Sequence, residues 1–183
     1  MCGQVPTIRI ENVVATATLG GDVDLKAVVK ARPDVEYRPE IFPGLILKMG
    51  RPKATLIIFK NGKIICTGAN SEGEAYKTIM RAVKMLAKCK AASPGDVKIV
   101  VRNIVASGNM GKPADIERAA RVFKEAMYEP EIFPGLICRV NNPRAAILLF
   151  SNGNYVCAGT KSEKDAYRAV ENFRKKLEEN GLL

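Results

Sequence analysis

The chain repeats itself. Sliding the sequence against itself by 91 residues aligns 8–90 with 99–181 without a gap, and 28 of the 83 pairs are identical. A gapless repeat of this length means that one supersecondary unit is built twice, so the fold must be one that two copies of a single unit can form. The expected division is residues 1–92 and 93–183, with ASPGD at 92–96 as the joint, too short to let the copies separate far. One continuous sheet with pseudo-two-fold symmetry is the expected result.

Identity concentrates where backbone geometry or a surface would demand it. YRPEIFPGLI at 37–46 returns as YEPEIFPGLI at 128–137, Pro52 as Pro143, FKNG as FSNG, and CTGANSEGEAY as CAGTKSEKDAY. Each copy reads as a strand (IRIENVVAT, KIVVRNIVAS), a short helix near Asp24 to Ala31 or Asp115 to Met127, three extended segments and a longer helix. The closing helix starts at Ser71 or Ser162, each followed three residues on by an acid (Glu74, Asp165), close to a capping box. Ala75, Ile79, Ala82, Val83 and Leu86 then mark one apolar face and Lys77, Arg81, Lys84 and Lys88 the other. Asn61-Gly62 and Asn152-Gly153 lie between apolar runs and predict tight hairpin turns in which both residues take positive φ.

Within the strands, side chains alternate between faces. Asn12 shares a face with Val14, Ile57 with Phe59, and Ile65 with Thr67, while the opposite face is equally apolar. Two helices per copy can cover only one side of such a sheet, and an antiparallel sheet normally shows water a polar second face. The second face is therefore either buried against another subunit or a binding surface. Its composition, mostly aliphatic with one asparagine per copy (Asn12, Asn103), suits the minor groove of A·T-rich DNA, whose floor offers acceptors and lacks guanine's amino group. A formal charge of +10 favours an anionic partner, and equally fits a solvated basic surface.

Other classes are disfavoured. With no histidine in the chain, His-based acid, base or metal chemistry is excluded, and Glu72/Glu74 and Glu163/Asp165 fit helix starts better than a two-metal nuclease site. No enzyme, cofactor or metal site is expected. The five cysteines (Cys2, Cys66, Cys89, Cys138, Cys157) lack a CxxC and fit a reduced, intracellular setting. No apolar run is long enough to span a bilayer and MCGQVPTIRI is no secretion signal, so a soluble protein without a membrane anchor is expected. An RNA-reading or protein-binding sheet is a further alternative; RNA readers usually place stacking aromatics mid-sheet, whereas here Phe42, Phe59, Phe133 and Phe150 lie at strand or loop ends.

Taken together, the duplication, FPGLI, LIIFKNGKIICTGANS and LLFSNGNYVCAGTKS resemble the TATA-box-binding protein family over nearly the whole chain. The resemblance implies an α+β fold, a saddle-shaped curved antiparallel sheet with helices on its convex face. It also implies a general transcription initiation factor of archaeal type that binds the TATA box in the minor groove and bends it, a system used as a worked example of that mode. On this sequence it makes Phe42 with Phe59 and Phe133 with Phe150 the intercalating pairs. Base contacts become Asn12, Asn103, Thr67, Val14, Val105, Ile57, Leu148, Ile65 and Val156, with Ala158 standing where a second threonine belongs. Phosphate contacts become Lys48, Lys53, Lys63, Arg139 and Arg144, with Asn154 at the counterpart of Lys63. Glu129, Glu131 and Ile132 match the loop that binds transcription factor B, through which RNA polymerase is recruited. Arg38 replaces Glu129 in the first copy. Without DNA, two molecules could pair through the saddle as a homodimer. The resemblance implies a location in the cytoplasm (nucleoid) of an archaeon, or in the nucleus of a eukaryote.

Overall fold

The computed structural model describes residues 5–51, 53–93 and 95–183; Cys2, Pro52 and Pro94, named above, lie outside them. The fold is α+β. In order the elements are β1 (Thr7–Thr18), α1 (Leu25–Ala31), β2 (Leu45–Met49), β3 (Ala54–Ile58), β4 (Lys63–Ala69) and α2 (Glu72–Lys88). They continue as β5 (Lys98–Asn109), α3 (Ile116–Val122), β6 (Ala126–Met127), β7 (Gly135–Asn141), β8 (Arg144–Phe150), β9 (Asn154–Thr160) and α4 (Glu163–Glu179). Two compact units result. The first-copy unit is residues 12–102, and the second-copy unit joins 1–11 to 103–183.

In the first-copy unit the strand order is β2-β3-β4-β1, antiparallel throughout. Alternation buries one face completely: Val13, Ala15, Leu47, Leu56, Ile58, Ile64 and Cys66 are at most 1 % exposed. Helix α2 covers that face by packing on β4 and β3. All five residues assigned to its apolar stripe are buried, and Lys77, Arg81, Lys84 and Lys88 are exposed. The helix starts as its sequence requires, with Ser71 Oγ accepting from Glu74 N at 3.0 Å while Glu74 Oε2 accepts from Asn70 N at 3.0 Å. Burying each Val, Leu or Ile side chain stabilises by about 1.5–3 kcal/mol.

The second-copy unit has the order β5-β9-β8-β7-β6, with α4 packed on β9 and β8. Here the short helix stops earlier than its sequence suggests. It ends at Val122, Phe123 turns extended, and Ala126–Met127 pairs with Cys138 and Ile137 instead of continuing the helix. Two gains explain the break. The Phe123 ring lies 6.0 Å from that of Phe173, and the following backbone finds partners on β7.

The Asn-Gly turns also differ from expectation. Only the glycines take positive φ, +77° at Gly62 and +84° at Gly153. Each asparagine instead supplies a side-chain acceptor, Asn61 Oδ1 to Lys63 N at 3.2 Å and Asn152 Oδ1 to Asn154 N at 3.0 Å. Gly62 N and Gly153 N close the turn on Phe59 O and Phe150 O. The asparagine is thus selected for its hydrogen bond rather than for left-handed backbone.

Among the described residues two buried hydroxyls, Thr78 on α2 and Thr160 at the end of β9, have no hydrogen-bond partner. Their counterparts in the other copy are Ala169 and Ala69. An unpaired buried hydroxyl costs about 1–3 kcal/mol relative to a satisfied one. Thr78→Val keeps the shape and removes the hydroxyl, so it is expected to raise stability by about 1 kcal/mol. Urea titration checks this; a lowered midpoint would mean that the hydroxyl is satisfied in solution.

Candidate functional site

The face of each sheet opposite its helices is open. Pairing across strands organises it in rows. In the first-copy unit Lys48 stands opposite Thr55 and Thr55 opposite Thr67. The next row is Ile46, Ile57, Ile65 and Thr16. In the second-copy unit the rows are Arg139, Ala146, Ala158, Val105 and then Ile137, Leu148, Val156, Ser107. Rows two residues apart along a strand are separated by about 7 Å. Each open face therefore runs from a row bearing a cation, through a row of large aliphatics, to a pair of phenylalanines.

Asn12, Val14, Ile57, Ile65 and Thr67 are all half-buried, as are Asn103, Val105, Leu148, Val156 and Ala158. The sequence-assigned groove set is thus brought together on one face of each unit. Six further members of that face, Thr16, Ile46, Thr55, Ser107, Ile137 and Ala146, were not singled out from the sequence. The signal was there: each is two residues from an assigned neighbour on its own strand.

Each asparagine sits at a bulge, where the register between β1 and β4, or β5 and β9, shifts. Asn12 Oδ1 accepts from Gly68 N at 2.7 Å and Asn103 Oδ1 from Gly159 N at 2.8 Å. Gly68 and Gly159 have φ of +89° and +99°, a conformation glycine adopts without strain. These bonds fix the amide orientation, because only the oxygen can accept. The NH2 group is left to donate. Thr67 Oγ1 lies 3.4 Å from both Asn12 Nδ2 and Oδ1; alanine at 158 offers Asn103 no such neighbour.

At the far end of each face two rings meet. Phe42 and Phe59 have centroids 5.9 Å apart at 66°, and Phe133 and Phe150 5.9 Å apart at 58°. Phe42 and Phe133 are 38 % and 39 % exposed, unusual for rings of this size. The repeated Pro-Gly is explained here. A Cβ on Gly44 would come within 2.6 Å of the Phe42 ring and 2.7 Å of Ile57. On Gly135 it would come within 2.7 Å of the Phe133 ring. Glycine is required for the ring to lie across the strand. The rings are shelved on the sheet rather than sunk into the core.

Of the assigned cations, Lys48 and Arg139 lie within β2 and β7, Lys63 and Arg144 begin β4 and β8, and Lys53 sits in the turn before β3. All five are exposed. Glu129, Glu131 and Ile132 are also exposed, on the loop before β7, with Ile132 at 79 %. Ile132 N and Phe133 N both donate to Glu129 O, at 3.0 and 2.8 Å, and the same turn recurs as Ile41 N and Phe42 N on Arg38 O.

The cysteines belong elsewhere. Cys66 and Cys157 point into the core, and burial pushes both thiols up to about 11, so they stay protonated and inert at neutral pH. Among the described residues no group of three His, Cys, Asp or Glu side chains converges as a metal site would need. Nor, among them, is any helix long and apolar enough to cross a membrane.

The family model for transcription factor TFIID (or TATA-binding protein, TBP) matches residues 7–89 and 98–180. The TATA-box-binding protein of Pyrobaculum calidifontis is 44 % identical over 183 residues, covering 100 % of this chain and 92 % of the relative. That of Methanothermobacter thermautotrophicus is 42 % identical over 176 residues, 96 % of this chain and 97 % of the relative. Among solved structures, Methanococcus jannaschii TBP superposes with a TM-score of 0.85 at 37 % identity, covering 95 % of this chain and 99 % of that one.

Proposed function

From the premise that this chain belongs to the transcription factor TFIID (or TATA-binding protein) family, and is therefore a general transcription factor, we propose that its two open faces bind successive halves of an A·T-rich promoter site from the minor groove. The observation that carries this reading is the composition of the faces. They hold aliphatic rows, one oriented amide donor each and bordering cations, with Arg102 donating to Thr16 Oγ1 on the first-copy face and Glu11 accepting from Ser107 Oγ on the second. A·T floors offer acceptors to such an amide and sugar edges to the aliphatics, and present no guanine amino group to be desolvated. The phenylalanine pairs act as wedges between base steps, which kinks the duplex and lets more protein surface reach it. Lys48, Lys53, Lys63, Arg139 and Arg144 neutralise phosphates. Glu129, Glu131 and Ile132 recruit transcription factor B, and through it RNA polymerase.

Titration of an A·T-rich duplex, and of a scrambled one in which G·C pairs replace half of the A·T pairs, at several salt concentrations tests this. Five neutralised phosphates give a slope of log affinity against log salt of about −4 to −5. Specific binding should exceed scrambled by at least about 10³. Equal affinity for the two duplexes would refute groove recognition.

Thr67 supplies a finer test. Its hydroxyl lies on the open face beside Asn12 and can donate to an acceptor on the floor. Thr67→Ala should weaken binding up to about tenfold, the loss of one hydrogen bond worth roughly 0.5–1.5 kcal/mol. The salt slope should not change, since no phosphate contact is lost. A changed slope would place residue 67 at the backbone instead.

A further inference from the structure

We infer that the second-copy face tolerates a G·C pair where the first-copy face excludes one, and that the alanine pair Ala146 and Ala158 sets this difference. The inference rests on the minor-groove reading above and concerns which sequences that groove can have.

The two faces differ in charge at Lys63, whose counterpart is Asn154, and beside Thr16 and Ser107, which meet Arg102 and Glu11; in side-chain bulk they differ most in one place. In the cation-bearing row the first copy has Thr55 opposite Thr67. At the same register the second copy has Ala146 opposite Ala158. Each alanine lacks both γ atoms of a threonine. The missing atoms are contiguous, because the two residues are cross-strand partners. An open concavity lined chiefly by residues 124–127 and 139–141, Glu125 among them, reaches Ala146, Ala158 and Gly159. The flanking row does not share the change: Ile57 and Ile65 become Leu148 and Val156, still large and apolar.

A G·C pair differs from A·T in the minor groove by one amino group projecting from the floor. Against a Thr-Thr pair that group meets side-chain atoms in the space it needs. Against Ala-Ala it has room, and a water entering through the concavity can accept its hydrogen bond.

Turning the duplex end for end brings a lone G·C pair against the alanines. One G·C pair should therefore be accepted in either half of the site, and one in each half should not. The test scans single and paired G·C replacements through the inner base pairs of an A·T-rich duplex, with inosine·C as the control that lacks the amino group. At the positions facing these residues, a single replacement should lower affinity less than about threefold and a symmetric pair by at least about tenfold, above the square of the single loss. Inosine in place of both guanines should restore binding. Ala146→Thr with Ala158→Thr should make the single replacement as damaging as excluding guanine from both halves requires. Thr55→Ala with Thr67→Ala should relieve the paired one. Each variant is compared with its own all-A·T affinity. Failure to prefer the all-A·T duplex over the matching all-G·C duplex would sink the groove reading itself. A preference for it, combined with a paired loss equal to the square of the single loss at every position, would overturn this inference alone.

Discussion

Replacing Phe133 and Phe150 together with alanine is expected to remove one of two kinks from bound DNA while leaving the protein folded. The reason is where the rings lie. Phe133 is 39 % exposed and Phe150 half-buried, and each contacts the other at 5.9 Å across the open face. A fully buried phenylalanine would cost about 3–5 kcal/mol on truncation; rings shelved at a surface should cost well under half of that. Their removal from a complex is a different matter. A wedge inserted between base steps offsets the unstacking it causes, a few kcal/mol per step, by enlarging the interface. Its loss should weaken binding by about 10–100-fold and open the angle between the duplex ends. Energy transfer between end-labelled fluorophores reads the angle, and urea titration reads the fold. Loss of the fold with no bending by the unmutated protein would mean that these phenylalanines are core residues.

The second large effect is expected at the loop before β7. Glu129, Glu131 and Ile132 stand exposed on a protein of formal charge +10, and Ile132 is 79 % exposed. Backbone bonds from Ile132 and Phe133 to Glu129 O hold the loop in one turn, so its side chains are presented by a preformed backbone. The matching loop of the first copy has the same turn and a similarly bare Ile41, 74 % exposed, but carries Arg38 where the second has Glu129. The acidic pair is the feature a basic partner can tell apart. Glu129→Lys with Glu131→Lys places like charge against such a partner, and should weaken the ternary complex with transcription factor B by at least about 100-fold. Binding to DNA alone should change by no more than about threefold, since neither side chain lies on the open face. Gel shifts with and without the partner separate the two effects. Equal loss of both would refute the assignment.

How much of this could be read beforehand follows from the kind of signal each element carries. Helix α2 was legible in full because its cap, its stripe and its charged face are all local patterns. The open face was legible in outline because alternation assigns residues to faces. The register that sets Thr55 opposite Thr67 and Ala146 opposite Ala158 was not, because register depends on turns and bulges that leave no periodic trace. The end of α3 was missed for a related reason. Residues 123–127 have ordinary helix propensity, and what ends the helix is a ring 6.0 Å from Phe173, fifty residues away in sequence. The Asn-Gly turns were located correctly and given the wrong geometry, since the dipeptide serves more than one turn type. The repeated FPGLI drew attention to a ring that lies partly exposed on the open face. Why glycine must follow became clear only from the closeness of Gly44 and Gly135 to the phenylalanines.

The most direct test of the central claim, that the open faces read DNA from its minor groove, is to compare an A·T-rich duplex with its twin in which every A·T pair is replaced by inosine·C. The two duplexes present the same acceptors in the minor groove and different groups in the major groove. Affinities within about threefold of each other, both at least about 100-fold above that for the matching G·C duplex, are the expected result. Strong binding to the A·T duplex with loss of binding to the inosine twin would contradict it, because the protein would then be reading the other groove.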